Sequence, residues 1–352
     1  MRSLIQFIFA AFIASIFPFA DVKTQSFENA WQYMEYIGNA NETLTAFYLS
    51  YLSAMGHNKS ARKVEKRRQE VLASIFETRV KIQNMPPWKG DKTFRDTTVA
   101  YLKMLNTVFN EDYGKIVDME EIAEQSYDAM EAYMLAQEKA WEKLDNTAEK
   151  QNEMQKQFAA KYNITLIESD TKIEKKSKQA ADLMKHYNNT YLVFFKAFKQ
   201  EAYLMDAIDK KNIIAIEQNK SSLRKFAEEG ITKLKTMKSF NNDPSLINAC
   251  RDAMNFFKSE TAKTRDITDF FLKDEAFTKL KKNFESKPAA KRTQQDIDQY
   301  NKGVNEINTA VNEFNSANKQ LNKERQSAVN NWNNTVKNFL DEYMPVQRKQ
   351  IE

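Results

Sequence analysis

Apolar residues recur at three- and four-residue steps along most of the chain, which is the spacing of one face of an α-helix. The first run covers about residues 27–55 and is rich in aromatic side chains. Later runs predict helices over about residues 60–84, 93–111, 118–162, 172–208, 212–238, 244–283 and 294–343. The pattern therefore predicts an all-α protein.

Two of the predicted helices are long and carry heptad spacing, in which apolar steps of three and four alternate. In the helix over 118–162 this seam runs from Trp141 to Tyr162. In the helix over 294–343 it runs from Tyr300 to Tyr343, and only Asn318 and Arg325 interrupt its apolar character. A polar residue at such a position fixes the register of a packed helix and lowers its stability. Both helices are therefore predicted to pack like strands of a coiled coil.

Part of the pattern occurs twice. The helix that contains Val71 and Ile75, the turn of residues 86–91 and the following helix match residues 223–257 at an offset of 152. Each turn carries an aromatic residue and closes on an aspartate, Asp91 or Asp243. Upstream methionines suggest an offset of 150, and the last helices match at 181. Self-similarity at a nearly fixed period indicates a structural repeat.

The repeat predicts two tandem units, each an antiparallel four-helix bundle with a long, coiled-coil-like last helix. The boundaries that follow are residues 1–20 as a signal peptide, 21–169 as the first unit and 170–352 as the second. The composition agrees, because six Gly and six Pro in 352 residues leave few places for tight turns. Average usage would give roughly 25 Gly and 18 Pro.

The first twenty residues have the character of a secretory leader. A short charged start at Arg2 precedes an apolar run to Ala20 that is too short for a comfortable membrane span. Cleavage is expected after Ala20, although an uncleaved anchor is the alternative. No later stretch is apolar enough to cross a membrane, so the mature chain is predicted to have no transmembrane segment.

The net charge of +5 is distributed unevenly. Residues 1–169 contain 20 basic and 23 acidic side chains, whereas residues 170–352 contain 33 and 25. A basic second half suits an anionic partner, but long helices also need many solvated charges. The chain has no aromatic-interleaved basic motif and no zinc spacing, so no nucleic-acid partner is predicted.

Residues suited to catalysis or metal binding are scarce. The two histidines, His57 and His186, lack the Glu-x-x-His context of di-iron bundles, and Asp182 with His186 makes at most half a metal site. Cys250 lies on an apolar helix face and is expected to be a buried hydrophobe. Neither a phosphate-binding glycine loop nor a nucleophile elbow occurs. No enzyme activity, catalytic residue, metal or cofactor is predicted.

One basic run is a candidate surface patch. It opens the second helix, where a solvated helix face is the simpler interpretation. Its members are Arg62, Lys63, Lys66, Arg67 and Arg68. The aromatic residues that crowd the first helix of each unit could line an apolar ligand slot, but their helical spacing favours a core role.

A leader, two helical units and no cofactor motif give a layout that resembles uncharacterised families of exported all-helical bacterial surface proteins. The resemblance implies export to the periplasm, cell surface or medium. The sequence hypothesis is a non-enzymatic envelope or surface protein that binds another protein or an envelope component. The alternatives are a membrane-active, pore-forming-like helical protein and a periplasmic bundle that binds a small ligand.

Overall fold

In a computed structural model, the structure describes residues 26–57, 61–166 and 172–345. These residues form nine α-helices and no β-strand, so the all-α prediction is confirmed. The helices are α1 (Ala30–Gly56), α2 (Ala61–Gln83), α3 (Thr93–Thr107), α4 (Tyr113–Ala123), α5 (Tyr127–Lys161), α6 (Lys172–Asp209), α7 (Ile213–Thr236), α8 (Ser245–Ser286) and α9 (Gln294–Tyr343). The predicted leader, residues 1–20, lies outside the described residues.

The predicted helix over 118–162 is wrong at its start. A π-helix, Val108–Asp112, joins α3 directly to α4, and α5 begins only at Tyr127. The break falls where Ser126 adopts an extended backbone conformation and its side chain accepts a hydrogen bond from the Ala129 amide. Such N-caps satisfy a free amide of the first turn. The other predicted helices agree with the structure to within a few residues.

Neighbouring helices pack in the order of the chain. In the first half α1 lies against α2, α2 against α3, and α5 against both α3 and α4. In the second half α6, α7 and α8 contact one another, and α9 lies along α8. Helix α6 also packs against α1 and α5, so one continuous hydrophobic core runs through both halves. The unit boundary near residue 169 therefore stays a prediction.

The two matching turns of the sequence have the same geometry. Trp88 and Asp91 pair through their backbones, as do Phe240 and Asp243. The central residues of both turns have positive φ, +48° and +86° in the first and +48° and +63° in the second. Two left-handed central residues define the turn that matches the twist of a short hairpin, and Gly and Asn adopt this conformation most readily.

Each turn is fastened to the last helix of its own half through the aspartate. Asp91 accepts hydrogen bonds from the Tyr162 hydroxyl (3.0 Å) and the Lys161 ammonium (2.7 Å), and Asp243 accepts one from the Tyr343 hydroxyl (3.1 Å). The bond from Lys161, followed by one from the Thr93 amide, holds the pKa of Asp91 well below its usual range. In both halves the aspartate of the turn therefore holds the turn against the end of the long helix.

Ring contacts align the first helices of the two halves. Tyr33 contacts Trp88 and Phe158, and His186 contacts their counterparts Phe240 and Phe339. Tyr33 and His186 are 153 residues apart. The offset of 150 suggested by the methionines is therefore wrong by nearly one helical turn, because methionines pack adaptably and mark alignment poorly.

Candidate functional site

The most unusual buried group lies where α6, α8 and α9 meet. Arg325 interrupts the apolar seam of α9, and its guanidinium reaches two carboxylates on other helices. Its Nε donates to Glu201 on α6, and its Nη2 donates to Glu260 on α8. Its Nη1 donates to the Asn322 side chain at 2.5 Å. We call Glu201, Glu260 and Arg325 the Glu–Arg–Glu cluster.

Both carboxylates of the cluster are withdrawn from water. Glu260 has no exposed surface, and Glu201 is 5% exposed. Oε2 of Glu260 is buried and has no hydrogen-bond partner among the described residues. Two ionised carboxylates around one guanidinium would leave a net negative charge in the core, which is costly in a low-dielectric interior.

The pKa values reflect this cost. Burial, and then the neighbouring Glu201 charge, raise the pKa of Glu260 to about 7, against the opposing pull of Arg325. Burial also raises the pKa of Glu201, again opposed by Arg325. With one guanidinium cation and an ionised Glu201, a proton on Glu260 makes the cluster electrically neutral.

The matching sequence positions of the first half carry no charge. At the offsets of 153, 152 and 181, the counterparts of Glu201, Glu260 and Arg325 in the first half are Tyr48, Val108 and Leu144. Val108 is fully buried, and the other two pack against the same core. By these sequence offsets, the first half has apolar and aromatic side chains at the three matching positions, and the charges occur only at those of the second half.

Stability should depend on pH through Glu260. Its pKa in the folded state lies above the ordinary value of 4.5, so the native state binds more protons than the unfolded state between pH 4.5 and 7. The free energy of unfolding should therefore fall, by roughly 1–3 kcal/mol, as pH rises through this window. Urea unfolding at several pH values measures it. Glu260→Gln should flatten the dependence, and an unchanged profile would contradict the assignment.

A second feature lies at the far end of the same helices. Lys211, in the α6–α7 connection, lies beside Phe271 and Asp274 of α8, so α6 ends and α7 begins at this level. Helix α8 continues for twelve more residues to Ser286. At a rise of 1.5 Å per residue this extension is about 18 Å long. We call residues 275–310 the hairpin.

The hairpin is held together only by its own two arms. Phe284 stacks on Tyr300 at 4.3 Å between centroids, and a Cβ added to Gly303 would lie 2.6 Å from a methyl carbon of Leu280, so the arms approach closely. The hydrogen bonds, ion pairs and ring contacts described for residues 275–310 all stay within the hairpin. It therefore projects from the body.

The end of the hairpin is strongly basic. We call residues 279–292 the tip. They contain six basic side chains and one acidic one, Glu285. Lys287 pairs with Asp296 at 2.5 Å, and Arg292 covers the ring of Phe284. Lys282 and Lys291 are exposed, and no ion pair is described for either.

The residues of the basic run of α2 differ in their exposure to solvent. Arg62, Lys63, Lys66 and Arg67 are exposed, as a surface patch requires. Arg68 is buried instead, so it cannot be part of that surface. It pairs with Glu65 and donates to the carbonyl of Phe109 at 2.7 Å. Phe109 belongs to the π-helix, so Arg68 links α2 to that segment.

The remaining candidates have structural surroundings. Cys250 is fully buried, and burial raises the pKa of its thiol. His186 lies beside the rings of Phe240 and Phe339, and burial lowers its pKa. No group of three or more metal-ligating side chains occurs in the described part of the chain. In the same residues no helix is long and apolar enough to cross a membrane.

Comparison with known proteins finds no similar protein. No family model matches the chain, and neither a curated protein nor a solved structure matches it.

Proposed function

We propose that this chain is an exported, non-enzymatic protein of the cell envelope or surface, and that it acts by binding a protein or an envelope component. The observation that carries the proposal is the projecting hairpin. Residues 275–310 add little to the common core, yet ordering each of them costs roughly 1–2 kcal/mol of conformational entropy. A structured, exposed and charged extension of this kind suits contact with a partner.

The same proposal includes the finer architecture. Residues 21–169 and 170–352 form two antiparallel four-helix units in tandem, and α4 with the π-helix is an addition to the first. The order of helix contacts and the two matching turns support this arrangement. In this scheme the two units contact each other through α6, which packs against α1 and α5. The hairpin extends the last two helices of the second unit.

Export follows in this proposal from the leader. Expression of the full chain in a bacterial host should yield a protein that begins at or near Asp21, because a leader peptidase removes the apolar segment. N-terminal sequencing of the extracytoplasmic fraction measures this. Recovery of intact Met1 in a carbonate-resistant membrane fraction would favour the uncleaved anchor.

The hairpin can be tested by removal. Replacing residues 276–309 with a short glycine-rich turn should leave the body folded, since the side-chain hydrogen bonds, ion pairs and ring contacts described for them stay within the hairpin. Circular dichroism should show helix loss in proportion to the residues removed. When the purified proteins are used to capture components from envelope extracts, the deletion variant should no longer enrich the components that the intact chain enriches. The matched surface control, Arg62→Glu with Lys63→Glu, should still enrich them. Equal capture by the deletion variant would contradict a role for the hairpin.

A further inference from the structure

We propose that the tip binds the headgroup surface of an anionic lipid bilayer. The inference rests on the proposed function, since it names the envelope component that the hairpin contacts. Three observations support it, namely the charge of the tip, its shape and the way its aromatic residues are used.

The charge of the tip is concentrated at the point farthest from the body. Its six basic side chains are Lys279, Lys281, Lys282, Lys287, Lys291 and Arg292. Three of these lysines pair with carboxylates, Lys279 with Glu275, Lys281 with Glu285 and Lys287 with Asp296. Lys282 and Lys291 are exposed and have no described ion pair, so their ammonium groups can face an anionic surface. Clusters of four or more Lys and Arg are typical of peripheral binding to anionic lipids.

The shape of the tip is convex. Its apex is the short segment Pro288-Ala289-Ala290, which lies between the ends of two helices, and residues 285–291 are all exposed. A convex end with small apical side chains cannot enclose a ligand. It can rest on an extended flat surface, with flexible lysines spread around the contact.

The aromatic residues of the tip argue against a protein partner. Protein interfaces rely on a few exposed aromatic or Arg anchors that become buried on binding. Here Phe284 and Tyr300 are stacked on each other, and Arg292 covers Phe284 at 4.5 Å. All three are partly withdrawn from solvent. Because these rings pack on each other and under Arg292, they are not exposed for insertion into the acyl region of a bilayer. What remains is electrostatic attachment at the headgroup level.

The variant pair that tests this contact can be chosen from exposed residues. Lys282→Glu with Lys291→Glu reverses two charges that make no described ion pair, and it leaves the Lys287–Asp296 pair and Arg292 intact. Arg62→Glu with Lys63→Glu changes the net charge by the same amount on the exposed start of α2. The control therefore separates an effect of the tip from an effect of total charge.

Purified mature chain is sedimented with vesicles of phosphatidylcholine that contain about one third phosphatidylglycerol, and with vesicles of phosphatidylcholine alone, at an ionic strength of about 0.15 M. The intact chain should bind only the anionic vesicles and should be released at about 0.5 M salt. The tip variant should bind roughly 30-fold or more weakly, whereas the α2 control should bind within about threefold of the intact chain. Circular dichroism confirms that both variants are folded.

The inference would be overturned by no binding of the intact chain to anionic vesicles, by equal binding to neutral vesicles, or by an equal loss of binding in both variants. Vesicle leakage together with salt-resistant binding would also overturn it, because it would indicate insertion. If vesicle binding fails while removal of the hairpin still abolishes capture from envelope extracts, the proposed function stands and the partner is an envelope protein. If both fail, the proposed function falls as well.

Discussion

Replacing Arg325 with methionine is expected to lower the free energy of unfolding by about 3–5 kcal/mol at pH 7. The substitution leaves Glu201 and Glu260 buried without their only cationic partner among the described residues, and an uncompensated buried charge is strongly destabilising. The loss should be smaller at pH 5, because burial raises the pKa of both carboxyls and protonation removes the charge. Urea unfolding followed by circular dichroism at both pH values measures the effect.

A control on the same pair of helices separates the cluster from ordinary ion pairs. Lys263 of α8 pairs with Glu324 of α9 at 2.6 Å, but the lysine side chain is 42% exposed. Lys263→Met should therefore cost less than about 1 kcal/mol. Equal losses in the two variants would show that Arg325 acts as a surface charge and would contradict its central role.

The first half of the molecule suggests the complementary experiment. Val108 and Leu144 stand at the matching sequence positions there, so Glu201→Leu, Glu260→Val and Arg325→Leu together would give the second half apolar side chains at all three positions and remove every charge of the cluster. Replacements of this kind are often neutral or stabilising by about 1–4 kcal/mol. We expect this triple variant to be at least as stable as the original chain at pH 8. A loss as large as that of Arg325→Met would show that the ionic contacts are needed for folding.

Separate expression of the two halves should give two folded proteins. Residues 26–166 and 172–345 each contain a turn fastened to its own last helix and a ring cluster around it. Each half should be helical and melt cooperatively, but at a lower temperature than the full chain, because the contact of α1 with α6 becomes exposed. Circular dichroism melts of the halves and of their mixture provide the measurement.

The opposite outcome would be clear. If neither half folds alone and mixing them restores helicity, the continuous core is the real folding unit and the tandem arrangement is wrong. The net charges of the two halves differ in sign, as counted from the sequence for residues 1–169 and 170–352. Ion exchange should therefore also separate the folded halves.

Helical periodicity predicts most of this fold because burial follows it closely. Leu223, Ala227 and Leu234 are all buried, as their counterparts at offset 152 are. The start of α5 could not be predicted in the same way. The π-helix makes α3 and α4 continuous up to Ala123, so the break falls just before Tyr127 and not between residues 111 and 118 as predicted. The apolar pattern does not record the extra residue that a π-helix inserts.

The candidate sites could be predicted only in part. Arg325 stands out in the sequence, since it and Asn318 are the residues that interrupt the apolar seam of α9. Glu201 and Glu260 do not, because each is one of many glutamates on long helices and their contact arises only from tertiary packing. The sequence pattern at the basic tip likewise indicates no more than a connecting loop. Its projection depends on where α6 ends and α7 begins, which no local pattern in α8 or α9 reveals.

The claim that the protein acts through its hairpin can be tested most directly by photo-crosslinking in the cells that make it. A photoreactive residue placed at Ala290, in the exposed apex, should form covalent products with an envelope lipid or protein on illumination. The same residue at Ala73, on the exposed face of α2, should form few. Mass spectrometry of both samples identifies the products. Products from Ala73 and none from Ala290 would contradict the account.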